Sequence, residues 1–102
     1  MNPSERNKTL VSYLTKQGAK KIGLFGSAAR GEERLDSDID VLVEFSEVKS
    51  LFEMVGIEIE LTDMLGKKID LVTEGNLSPY IKDKVMEDLV VIYDERKRRN
   101  IS

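Results

Sequence analysis

Along the chain, apolar positions switch repeatedly between a helical rhythm and a strand-like one. Leu10, Tyr13 and Leu14 recur at helical spacing behind Asn2, Pro3 and Glu5. That trio predicts a capped helix start, with proline at the first position, a capping box closed by Glu5, and a stop near Gly18. Ile22 to Phe25 then reads as a buried strand. A Gly-Ser turn, a short helix around Ala28-Ala29-Arg30 and a second strand from Ile39 to Phe45 follow. Ser50 with Glu53 forms another capping box, opening a helix that carries Leu51, Val55, Ile59 and Thr62 on one side and ends at Gly66. A third strand, Ile69 to Thr73, comes next. Ser78-Pro79 opens one more helix, with Ile81, Val85 and Met86 facing inward, and Leu89 to Tyr93 reads as a last strand. The order α-β-α-β-α-β-α-β predicts an α/β (α+β) domain, a sheet with helices packed on it; periodicity does not set which strands run parallel.

Composition narrows this picture. The chain has 102 residues, 40% hydrophobic and 34% charged, which suits one small domain with a single core. We place that domain at residues 1–95 and a charged tail at 96–102. The run Arg96-Lys97-Arg98-Arg99 stands beside Asp94 and Glu95 and reads as solvated rather than as a clamp for nucleic acid. The formal net charge is −3, so direct nucleic-acid binding is not expected. Cysteine and histidine are both absent, which excludes disulfides, thiol nucleophiles and thiolate metal sites. A general base must then be a carboxylate, a lysine or a tyrosine. No apolar run reaches the length of a membrane span, and Asn2-Pro3-Ser4-Glu5 is unlike a signal peptide; we expect a cytoplasmic protein. Met54, Met64 and Met86 read as core filling, and Tyr80 and Tyr93 as half-buried.

The candidate chemistry lies in two linked stretches. Gly26-Ser27-Ala28-Ala29-Arg30-Gly31 follows an apolar strand and leads into a helix, so its backbone N–H groups suit an anion. Asp38 and Asp40, spaced i and i+2 on a strand, put both carboxylates on one face, about 6.6 Å apart along the chain. Two such charges at 4 Å repel by about 4 kcal/mol at an effective dielectric of 20, and a divalent cation removes that repulsion. The alternative is an acidic strand end exposed to water. Asp70 is an isolated acid in the apolar strand Ile69-Asp70-Leu71-Val72, expensive to bury without a partner. If its strand lies beside the second one, it joins the other two carboxylates; otherwise it is a solvated acid paired with Lys68. Arg30 suits either a phosphate or a salt bridge to Glu32, Glu33 or Asp36.

Gly26-Ser27 followed by Asp38-x-Asp40, with a further Asp on a later strand, resembles the nucleotidyltransferase superfamily that includes DNA polymerase β. At this length the resemblance is to its minimal (MNT) branch and spans nearly the whole chain. Ala28 departs from the bulkier or basic side chain that relatives often carry there. The resemblance implies a mixed sheet with helices mainly on one side. It also implies metal binding and catalysis by Asp38, Asp40 and Asp70, nucleotide binding by Gly26, Ser27 and Arg30, and Mg²⁺ as cofactor, two ions during catalysis, with Mn²⁺ as a substitute. Asp70 would take the proton from the attacking hydroxyl. Minimal members resemble the antitoxin half of a toxin–antitoxin pair, which implies ATP as donor and a tyrosine of a HEPN-domain toxin as acceptor. Two other readings stay open: a module that masks its partner by contact alone, and a small-molecule nucleotidyltransferase.

Overall fold

The computed structural model describes residues 2–32, 34 and 36–99, and the side chains through Lys97. Helix α1 (Pro3–Lys16) has the predicted Asn2 cap and Pro3 start, but its capping box differs: the Asn2 side chain accepts from the Glu5 N–H at 2.8 Å, while the Glu5 carboxylate accepts from the Asn2 side-chain amide at 3.1 Å where the expected box has it accept from the backbone N–H. Strand β1 (Ala19–Phe25) begins three residues earlier than its apolar run. Its lysines are carried by pairing with the next strand, and Lys20 meets Glu44 at 3.5 Å. Helix α2 (Gly26–Arg30) follows without an intervening turn, and β2 (Ile39–Phe45) has the predicted bounds. Helix α3 (Leu51–Leu65) has the Ser50/Glu53 capping box and a left-handed Gly66 at its end. Then come β3 (Ile69–Val72), a 3-10 turn (Glu74–Asn76), α4 (Pro79–Asp88) and β4 (Val90–Asp94).

The strands form one mixed sheet in the order β3-β2-β1-β4. β1 runs antiparallel to both β2 and β4, whereas β2 and β3 are parallel. Ile22, Leu24, Ile39, Val41, Val43, Ile69 and Leu71 are buried with Leu10 and Leu14 of α1 and Met54, Ile57 and Leu61 of α3. The two long helices thus share one face, and the Tyr13 hydroxyl of α1 donates to Glu60 of α3. On the opposite face, Leu89 at the end of α4 closes over Gly23, where an added Cβ would sit 2.6 Å from it.

Several inward assignments change. α3 carries two apolar stripes that compete for the core, and the one containing Met54, Ile57 and Leu61 wins; Leu51, Val55 and Ile59 are exposed. Thr62 and Glu58 decide this, because their side chains serve the edge strand. The Ile69 N–H donates to Thr62 Oγ1 at 3.2 Å and the Leu71 N–H to Glu58 Oε2 at 2.8 Å. Met54 is core, but Met64, Met86, Tyr80 and Ile81 are exposed, leaving Val85 as the buried residue of α4. The expected tail starts as a short helix, α5 (Glu95–Arg99), in which the Arg96 N–H donates to Asp94. Residues 100–102 of that tail lie outside the described residues.

Candidate active site

Three elements bring the acidic residues to one end of the open sheet face. Along β2 the alternation buries Ile39, Val41 and Val43 and turns Asp40, Leu42 and Glu44 to the other side. Along β3 it buries Ile69 and Leu71 and leaves Asp70 exposed. Because the strands are parallel with Asp40 opposite Asp70, the two carboxylates are cross-strand neighbours on one face, on strands about 4.8 Å apart. The adjacency that periodicity left open is therefore present. Among the described residues Asp70 makes no ion pair with Lys68.

Asp38 stands just before β2 in a pinned loop. The Arg34 N–H donates to Ser37 Oγ at 2.9 Å, the Ile39 N–H to the Lys68 carbonyl at 2.9 Å, and Lys67 Nζ to the Arg34 carbonyl at 2.7 Å. Asp38 is exposed and Asp40 half-buried. Burial, and then the charges of Asp70 and Asp38, raise the Asp40 carboxyl above its ordinary pKa, while Arg30 pulls the other way. All four groups therefore share one electrostatic neighbourhood. Among the described residues no three acidic side chains close onto a single point as a preformed metal cage. The donor set is nonetheless all oxygen and mutually repelling, which fits a hard dication.

Gly26 ties the turn to the acids. Phe25 pairs with Asp40, and Gly26, at φ +68°, leaves so little room that a Cβ there would lie 2.4 Å from Asp40 Oδ2. Only glycine combines that backbone with that approach. Ser27 is half-buried in the first turn of α2, where the leading N–H groups have no partner within the helix. Arg30 is engaged by Glu32 at 2.7 Å and by Asp88 of α4 at 2.5 Å. Asp88, far away in sequence, was not among its foreseen partners, and Glu33 lies outside the described residues. Tyr13, held on the helical side, is no base for this site: burial and Glu60 push its pKa up to about 12.

Known proteins resemble this chain in sequence and in fold. A family model described as nucleotidyltransferase domain matches residues 7–98. A Methanocaldococcus jannaschii protein named "Putative protein adenylyltransferase" is 41% identical over 90 residues, covering 88% of this chain and 97% of that one. The protein adenylyltransferase MntA of Thermococcus cleftensis is 40% identical over 75 residues, covering 74% and 76%. Among solved structures, a toxin–antitoxin crystal structure with AMP-PNP superposes with a TM-score of 0.80 at 20% identity, covering 93% of this chain and 78% of that one.

Proposed function

This chain belongs to the nucleotidyltransferase domain family, and from that premise we propose that it is a protein adenylyltransferase antitoxin, moving AMP from ATP to a tyrosine hydroxyl of a HEPN-domain toxin. The observation that carries the reading is the in-register pair Asp40 and Asp70, with Asp40 pressed against Gly26. Relatives named as protein adenylyltransferases, matched over most of their length, support the activity. Structural neighbours described as a toxin–antitoxin with AMP-PNP and as an AMPylated HEPN toxin with its MNT antitoxin support donor and partner. Exposed Leu51, Phe52, Val55 and Ile59 form an apolar stripe on α3 that supports a protein partner.

In this reading Gly26 lets the phosphate chain approach the backbone, and the Ser27 hydroxyl with the first N–H groups of α2 binds the outgoing phosphates. Asp38 and Asp40, with Asp70 beside them, would hold Mg²⁺, or Mn²⁺ in its place. Such ions supply charge neutralisation at the attacking and leaving oxygens. Asp70 accepts the proton of the acceptor hydroxyl. That oxygen bonds to the α-phosphorus, the bond to the bridging oxygen breaks, and pyrophosphate leaves on the opposite side. The acids are exposed or half-buried, which suits an acceptor presented by another protein.

The test is incubation of the chain with α-labelled ATP, Mg²⁺ and the HEPN protein encoded beside it. Label should appear on that protein and vanish in Asp38→Asn. Neutralisation of the toxin without any label transfer would replace the enzyme with a masking module.

A further inference from the structure

Arg30 of α2 and Asp88 of α4 form an ion pair that helix physics does not call for. Asp88 is the last residue of α4, where a negative charge meets the negative end of the helix dipole, and the last turn holds no basic residue to offset it. Its partner is Arg30 Nη1 at 2.5 Å, 58 residues away in the chain. Glu32 takes the same guanidinium at Nε, at 2.7 Å.

The two carboxylates are unequal. The Asp88 side chain is 16% exposed, whereas that of Glu32 is 63% exposed. Asp88 is also fixed by its neighbours on α4, since Val85 in the preceding turn is buried and Leu89 closes over Gly23. An exposed pair such as Arg30 with Glu32 is weak and readily exchanged. Arg30 therefore has one firm anchor and one replaceable partner.

The place of Arg30 on α2 gives this arrangement a direction. Arg30 follows Ser27 by three residues, so the two side chains share one face of the helix, and a long helical side chain leans back toward the N-terminal turn. Burial and the neighbouring acids raise the Asp40 pKa, and Arg30 is near enough to oppose them. A guanidinium has more N–H donors than two carboxylates take, and its planar fork suits phosphate as well as carboxylate.

We propose that Asp88 is a positioning residue for nucleotidyl transfer: it holds the Arg30 guanidinium beside Ser27, and the outgoing phosphates of the nucleotide displace Glu32 from it. This assignment rests on the nucleotidyltransferase reading and adds to it a residue of α4, outside the turn and strands that carry the site. Charge alone predicts the reverse. Removing an acid near a polyanion should tighten binding, whereas removing the acid that holds the phosphate's partner in place should weaken it. The two carboxylates on one guanidinium thus have opposite expected effects.

The test is calorimetry on the full chain with Mg²⁺ and ATP. Asp88→Ala should weaken ATP binding at least about tenfold, and Glu32→Ala should bind as tightly as wild type or more tightly. Arg30→Ala should lose as much as Asp88→Ala, and the double variant should be no weaker than Arg30→Ala, because Asp88 acts through Arg30. Asp88→Glu should recover most of the loss. AMP lacks the outgoing phosphates, so its affinity in Asp88→Ala, read from amide shifts, should stay within about twofold of wild type. Asp88→Asn keeps the side chain's shape and takes the place of alanine if that variant does not fold. Unchanged or tighter ATP binding without Asp88, losses that add in the double variant, or AMP weakened as much as ATP would each overturn the positioning role and spare the acids and the turn. Wild-type protein that binds no ATP would remove the nucleotidyltransferase reading, and the role of Asp88 with it.

Discussion

Replacing Gly26 by alanine separates backbone strain from close approach, because the fold contains its own control. Gly26 and Gly66 have nearly the same backbone, φ +68° and +69°, but an added Cβ meets nothing within 4 Å at Gly66 and lies 2.4 Å from Asp40 Oδ2 at Gly26. Each alanine accepts a left-handed conformation that costs roughly 1–2 kcal/mol. In a domain of this size each kcal/mol lowers Tm by about 4–8 °C. Gly66→Ala should show that loss alone. Gly26→Ala must in addition move the Asp40 carboxylate by more than half an ångström to reach the 3.0 Å below which real contacts are not found. Turning that side chain off its preferred rotamer adds about 0.5–1.5 kcal/mol.

The functional gap should be much wider than the stability gap. A group displaced by about 1 Å at a reacting centre can lower rate about 10²-fold. Thermal melts of both variants and adenylyl transfer to the partner, measured well below either Tm, make the comparison. We expect Gly66→Ala to retain activity near wild type and Gly26→Ala to lose about two orders of magnitude. If the two variants retain equal activity, the contact between Gly26 and Asp40 is packing and has no bearing on the chemistry.

The remaining predictions concern charge, ligand and edge. Asp40 carries a raised pKa, so its contribution to the ion-free fold is most favourable below the unfolded value and is lost as pH rises through the raised folded value. Asp40→Asn in EDTA should therefore stabilise the protein at neutral pH, and the gain should shrink to nothing as pH falls below the ordinary carboxyl range; urea titrations across pH read both. Mg-ATP at a hundred times its Kd should stabilise the wild type by about 2.7 kcal/mol and Asp38→Asn far less, read as Tm shifts. Glu58→Ala should cost about 1–3 kcal/mol by orphaning the Leu71 N–H, and hydrogen exchange at Leu71 should accelerate ahead of that at Val41.

Local chemistry makes much of this protein legible in its sequence. Capping at Asn2 and Ser50, the left-handed end at Gly66 and the strict alternation of β2 are written in adjacent residues, and the elements follow them. What failed was orientation. A helix as apolar as α3 offers no single face, and only the N–H groups of an edge strand 7 to 13 residues away select which one turns inward. Arg30 illustrates the same limit at long range, since its partner Asp88 is 58 residues distant.

The site and the core obey one constraint. Asp70 faces the open side only because Ile69 and Leu71 must face the helices, and a slip of one residue would exchange the acid for a buried leucine. That slip is opposed from both sides of the strand. Toward β2 the parallel register pairs Ile39 with Ile69 and Asp40 with Asp70; toward α3 the outer N–H groups of Ile69 and Leu71 are satisfied by Thr62 and Glu58. A four-residue strand has little pairing energy of its own, so these helix side chains act as register pins. The repulsion between Asp40 and Asp70 would otherwise favour sliding the strands apart. The sheet accepts that repulsion because the packing of Ile69 and Leu71 opposes any escape, and this leaves two like charges side by side where a hard cation is drawn.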